Sequence, residues 1–279
     1  MKIISSGLLL KWKLVFKVAP IIAVVVCTKL LVHHAGWEII SLSPLFTALV
    51  SANIFLIGFL ISGVLSDYKE SEKIPGDIAA SLETLADEAI IIYKSKRAKV
   101  ALDYLAYLAQ FSHSLLQWFY KKERTEAVMQ KLSHFNEFFL AFEHLTQANF
   151  IARLKQEQSF IRKTINRAHA IRETSFLQAG YLIAELITLF LVLGLVFIKI
   201  SPYYESIFFV AFVSFILVYM ILLIHDLDNP FGYAEKDTQV EDVSLKLLVD
   251  ADRRLIALAQ SFPSTDKHVF SPARPVANE

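Results

Sequence analysis

Apolar residues in this chain fall in blocks too long for a soluble core to require. Residues 14–32, 44–65, 176–198 and 204–224 each form a predominantly apolar run of about 20 residues, matching a hydrocarbon layer of roughly 30 Å at 1.5 Å per residue. Four membrane-spanning helices are predicted. Residues 1–13 read as an amphipathic lead-in with Trp12 at the interface, a retained anchor because Lys11, Lys13 and Lys17 interrupt any signal-like run. Between the second and third blocks, residues 66–175 keep a helical period. Val100, Tyr104, Leu108, Phe111, Leu115 and Phe119 recur at spacings of three and four. Val128, Leu132, Phe135, Phe139, Phe142 and Leu145 do the same after the charged break Lys121-Lys122-Glu123-Arg124. A third pattern, Ile151, Leu154, Gln158, Ile161, Ile165 and Ala168, meets no Gly or Pro before position 176. One unbroken helix is therefore expected to run on into the third span. The fourth span is followed by an Asn229-Pro230-Phe231-Gly232 turn, then an amphipathic helix over 243–258. Residues 225–262 are read as this turn and C-terminal helix, and the proline-bearing tail 263–279 as disordered. The expected fold is all-α: four transmembrane helices and a helical cytoplasmic bundle.

Charge orients this layout. The chain carries 28 Lys and Arg against 27 Asp and Glu, and 16 of the basic residues lie within 66–175. The first interspan loop, 33–43, has none, and the second offers only Lys199. Basic residues stay on the cytoplasmic side, so both termini and the central segment are predicted inside, in a plasma or inner membrane. The same region carries many carboxylates, which argues against a nucleic-acid partner.

The second span is not uniformly apolar. On a 3.6-residue wheel Thr47, Ser51, Phe55, Gly58, Ser62 and Ser66 fall within about 100° of one another, whereas Val50, Ile54, Ile57, Leu60, Ile61 and Val64 cover the opposite side. A helix facing only lipid gains nothing from hydroxyls and glycine. Either the stripe is a packing seam, or copies of it surround an aqueous axis with Phe55 as an apolar ring that gates by dewetting. Asn53 lies off the stripe near mid-membrane, and its amide needs a partner on a neighbouring helix. Glu185 lies well inside the third span and is a functional candidate or a structural partner of Lys17; Lys17 and Lys29 are expected to reach the interfaces.

Catalytic and metal signatures are missing. No GxxxxGK[ST], GxSxG or HExxH is present, and the single cysteine, Cys27, reads as a small apolar packing residue. His33-His34 reads as a solvated interfacial pair, and His134 and His144, ten apart, do not share a ligand face. No enzyme, cofactor or metal is expected.

Four spans, a helical insert between the second and third, the run Ser66-Asp67-Tyr68-Lys69-Glu70 leading to Ile74-Pro75-Gly76-Asp77, and Asn229-Pro230-Phe231-Gly232 together resemble the bestrophin family of anion channels. The resemblance spans about residues 10–258, mostly in pattern. It implies a homo-oligomeric ring, commonly a pentamer, whose second spans line a pore with a neck among Thr47, Ser51, Phe55 and Gly58. Animal bestrophins have bulkier necks. They also bind calcium through acidic residues after the turn, where this chain has Tyr233-Ala234-Glu235-Lys236-Asp237; Asn229, Glu235 and Asp237 remain, and no tight calcium site is expected. The expected function is passive conduction of chloride or other small anions through a pore lined by Thr47, Ser51, Phe55, Gly58 and Ser62. The alternatives are a non-conducting scaffold that docks a partner on its cytoplasmic helices, and a proton-coupled carrier using Glu185.

Overall fold

The computed structural model describes residues 2–174, 177–231 and 242–262. The expectations for residues 233–237 and for the tail 263–279 lie outside the described residues. The elements run α1 (Lys2–His34), β1 (Ile40–Ser41), α2 (Pro44–Lys96), α3 (Lys99–Phe119), α4 (Thr125–Phe142), α5 (Ala148–Glu173), α6 (Gln178–Phe197), β2 (Ile198–Lys199), α7 (Tyr203–Leu227) and α8 (Lys246–Ser261). Four helical stretches long and apolar enough to cross a membrane lie at the four predicted spans. The chain divides into two compact units, one of Met1–Glu72 with Ala170–Val243, the other of Lys73–His169 with Ser244–Glu279.

The first unit holds the four spans. Its core is built where α2 offers Ile57, Leu60 and Val64 to Tyr181, Ala184 and Leu191 of α6 and to Leu217, Ile224 and Leu227 of α7. A second cluster joins Val25 and Val32 of α1 to Val192, Leu195 and Val196 of α6 and Val210 of α7. In lipid, packing of this kind replaces the hydrophobic effect as the association force, so close approach matters. Two glycines of α6 provide it. A Cβ at Gly180 would come within 2.9 Å of Leu60 Cδ2, and one at Gly194 within 2.8 Å of Phe46 Cε2, so both glycines leave room for α2 side chains to seat against α6. β1 and β2 pair in parallel, Ile40 with Ile198 and Ser41 with Lys199, tying the two interspan loops.

The second unit is a helical body whose faces follow the predicted periodicity. Tyr104, Leu108, Phe111, Leu115 and Phe119 of α3 are buried, as are Val128, Leu132, Phe135, Phe139 and Phe142 of α4. The Tyr104 ring contacts Phe135, Phe138 and Phe142 with centroids 5.3–5.5 Å apart, the separation at which edge and tilted aromatic pairs are favourable. Gln158 sits in the apolar stripe of α5 because its Nε2 donates to the Leu132 carbonyl at 2.6 Å, so its burial leaves that donor satisfied. α8 is held to α3 by Asp252, which accepts from Ser112 Oγ at 2.5 Å.

One expectation about helix limits is corrected. The third pattern does not continue into the span: α5 stops at Glu173 and α6 starts at Gln178, with Leu177 at φ −157° and ψ 82°. The Thr174 N–H and hydroxyl both still bond the Ala170 carbonyl in the helical manner, and beyond the break the Leu177 side chain lies against Gly180. Conversely, α2 passes straight through Pro75. Proline in a helix interior costs about 3 kcal/mol, and the buried Ser71, Ile74 and Ile78 hold the helix on both sides of it.

Candidate functional site

α2 begins where its sequence says it should. Ser43 Oγ accepts from the Phe46 N–H at 3.2 Å, a side-chain N-cap, and Pro44 occupies the first helical position, where its missing N–H is no loss. From that start the helix presents two unlike faces. Asn53, Ile57, Leu60 and Val64 are buried within the first unit. Thr47, Ser51, Phe55, Gly58, Ser62 and Ser66 are exposed along the whole stripe, Phe55 at 78%. A Cβ at Gly58 would meet nothing within 4 Å, in contrast to Gly180 and Gly194. The close-packing surface within the chain is therefore carried by α6, and the hydroxyl stripe of α2 takes no part in it. Phe55 is not buried within one chain, as the scaffold alternative required. Leu65, at the wheel angle of Thr47, and Phe59, at the stripe's edge, are exposed too. Sequence reasoning left both out because each reads as ordinary lipid-facing residue.

The stripe hydroxyls are satisfied locally. Thr47 Oγ1 donates to the Ser43 carbonyl at 3.3 Å and Ser51 Oγ to the Thr47 carbonyl at 3.0 Å. Such back-bonding lets a hydroxyl sit in a membrane helix while its oxygen lone pairs point outward.

Asn53 donates from Nδ2 to Thr188 Oγ1 on α6 at 2.9 Å, with the pair buried. Glu185 does not pair with Lys17. Its Oε1 lies 2.5 Å from His225 Nε2 on α7, one turn from Tyr181, whose hydroxyl donates to Asp228 at 2.7 Å. Sequence reasoning missed this because His225 lies 40 residues away on another helix.

The Lys29 side chain turns toward the interspan segments and is fully buried there, donating to Glu38 Oε1 at 2.7 Å and to the Ile198 carbonyl at 2.5 Å. His33 is not a freely solvated residue, since its Nδ1 lies 3.1 Å from Glu38 Oε2 and its ring stacks on Tyr203 at 3.6 Å between centroids. Burial alone would push the Glu38 carboxyl up, but hydrogen bonds and charge from Lys29 and His33 outweigh it and hold the group below its ordinary value. Cys27 is exposed rather than packed. Among the described residues no group of three or more His, Cys, Asp or Glu side chains is placed to hold a metal ion. The second unit has an open cleft of about 590 Å³ between α2 and α5, lined by Asp77, Ser81, Thr84, Glu157, Phe160 and Lys163, a mixture of charges that converges on no one chemistry.

These features define an all-helical membrane protein with four spans, whose second span keeps a hydroxyl-bearing face uncovered. Within that class its fold is bestrophin-like. A variant of a bacterial bestrophin homologue from Klebsiella pneumoniae superposes with a TM-score of 0.75 at 17% identity, over 88% of this chain and 98% of that one. A second variant from the same organism gives 0.69 at 17% identity, over 89% and 98%. A structure described simply as a membrane protein gives 0.71 at 16% identity, over 90% and 100%. No protein-family model and no curated protein matches the chain.

Proposed function

We propose that the chain is a subunit of a passive ion channel, a homo-oligomeric ring of the bestrophin kind in which α2 lines the axis with Thr47, Ser51, Phe55, Gly58 and Ser62. The observation that carries this reading is the contrast between the exposed faces of the spans. On α6 the exposed residues include Leu182, Leu186, Leu189 and Phe190, and on α7 Phe208 and Phe212, as lipid contact favours. The exposed surface of α2 also bears Leu45, Leu49, Ile54 and Phe59, but along one stripe it adds hydroxyls and a glycine with open space before it. The hydroxyl stripe supports a face turned toward water.

In this reading Phe55 forms the narrow apolar ring, and the hydroxyls above and below it hold water columns on either side. An apolar ring gates by dewetting, because an ion must shed hydration to pass. The permeant class implied by the family resemblance is chloride or another small anion. The hydroxyl donors point into the helix, so a bare anion reaches them only after they rotate away from their carbonyls; a hydrated ion passes without that step. Both termini lie in the cytoplasm on this reading, and the pentamer is the assembly that the resemblance implies.

The test is flux in liposomes containing the purified full-length chain, with chloride and sodium gradients applied separately. Selective anion flux that rises in Phe55→Ala is the expected result. Absence of flux for either ion, together with particles lacking an axial opening, overturns the reading.

A further inference from the structure

The fully buried ammonium of Lys29 is unusual for a membrane span, and its surroundings explain more than its own neutralisation. One carboxylate, Glu38, faces two side chains of α1: the Lys29 ammonium at 2.7 Å through Oε1 and the His33 ring at 3.1 Å through Oε2. Lys29 also donates to the Ile198 carbonyl, the first residue of β2, while His33 stacks on Tyr203, the first residue of α7. Four segments thus meet at Glu38: the end of α1, the first interspan loop, β2 and the start of α7. Two residues beyond Glu38, Ile40 opens β1, paired with β2, and three residues after β1 comes Pro44, where α2 begins. Thr47, the first stripe residue, hydrogen-bonds back to Ser43 in this same segment.

We propose that Glu38 is a proton-sensitive latch that fixes the starting end of α2, so that protonating it loosens the β1–β2 tie and alters the mouth of the path that α2 lines. The groups facing the carboxylate are Lys29 and His33 from α1 and the Tyr203 hydroxyl from α7; β2 contributes its Ile198 carbonyl through Lys29, and Lys199 of β2 is exposed. The sign follows from linkage. A carboxyl held below its unfolded value stabilises the fold above that value, and the contribution is lost as pH falls through the folded one. The latch is therefore closed at neutral pH and opens only on strong acidification. Once open, it leaves Lys29 buried with a lone carbonyl, which favours movement of the loop toward water. The consequence for conduction rests on the channel reading; the latch itself does not.

Trp37, exposed and next to Glu38, reports the loop directly. The measurement is its emission in proteoliposomes, taken as the difference between the native chain and Trp37→Phe, from about pH 7 down through the carboxylate range, alongside ion flux. The expected native result is a transition below the ordinary carboxylate value, with flux falling by about fivefold or more across it, the scale of coupling between two linked sites. In Glu38→Gln the emission is already shifted at neutral pH and the transition is gone. His33→Gln keeps the latch but loses one partner, so its transition moves toward the ordinary carboxylate value; it serves as the second variant if Glu38→Gln does not fold. A native emission curve without a transition, or one that Glu38→Gln and His33→Gln leave unchanged, overturns the latch. Flux that ignores a clear Trp37 transition overturns its control of the mouth. A Trp37 transition in a chain that conducts at no pH keeps the latch and refutes the channel reading instead.

Discussion

Phe55 and Asn53 are two positions apart on α2 and answer to different physics. Phe55 is 78% exposed in the chain, so truncating it removes no intrachain packing, and Phe55→Ala should move the stability of the isolated fold by no more than about 0.5 kcal/mol, as for surface positions generally. Its effect falls on conduction: basal flux should rise, since the apolar barrier is lost. Ser51→Ala should change flux far less, because the hydroxyl already spends its donor on the Thr47 carbonyl. Parallel flux and thermal-unfolding measurements on the two variants check this contrast. Asn53 is the reverse case. Thr188→Val leaves the Asn53 amide buried without its acceptor and should cost about 1–2 kcal/mol by unfolding in detergent, with flux unaffected in the fraction that folds. Adding Asn53→Leu should recover most of that loss, because two apolar groups need no partner. Equal and additive losses would show that the bond contributes nothing.

Among the helices, α2 and α6 show how a glycine's meaning depends on its surroundings. Gly58 and Gly180 are alike as letters in apolar runs. Gly180→Ala forces a methyl to within 2.9 Å of Leu60 and 2.8 Å of Leu177, and overpacking of that kind costs about 1–3 kcal/mol. Gly58→Ala meets open space and should leave the melting temperature unchanged or slightly raised, since alanine is the better helix former. A drop in stability for Gly58→Ala comparable to that of Gly180→Ala would mean that the α2 stripe is packed after all. This is also where the sequence stops being legible. The buried faces of α3, α4 and α5 could be read from spacing alone, because a helix's apolar stripe must face its neighbours. The break at Leu177 could not: no Gly or Pro marks it. The passage of α2 through Pro75 was equally hidden, since a proline's cost is local while the packing that offsets it comes from elsewhere. The stripe itself was legible as composition, and its exposure needed three dimensions. Lys29 with Glu38 and Glu185 with His225 were illegible for the same reason: pairing across loops and helices leaves no period in the sequence.

For the molecule as a whole, the uncovered stripe decides what assembly can be. On the channel reading, the hydroxyl face that the chain's own core leaves uncovered meets another copy or water, and a closed ring supplies water to all copies by one symmetry operation. A two-fold dimer would bury the stripe against itself, joining Phe55 to Phe55 and leaving no path. A heterologous ring keeps each stripe on the axis and makes its contacts through other faces of the spans. The two arrangements predict different particles. The ring of five should have a protein mass about five times the 31.7 kDa of one chain once detergent is subtracted by light scattering, with a single axial density minimum in projection. Cysteine placed at Phe55 in a Cys27→Ser background should then react with a small charged thiol reagent from the aqueous phase, and cross-link poorly across an open axis. A dimer mass with efficient disulfide formation at Phe55→Cys identifies the stripe as a sealed seam. In that event the hydroxyls serve close approach between chains, and ion passage must be sought elsewhere or abandoned.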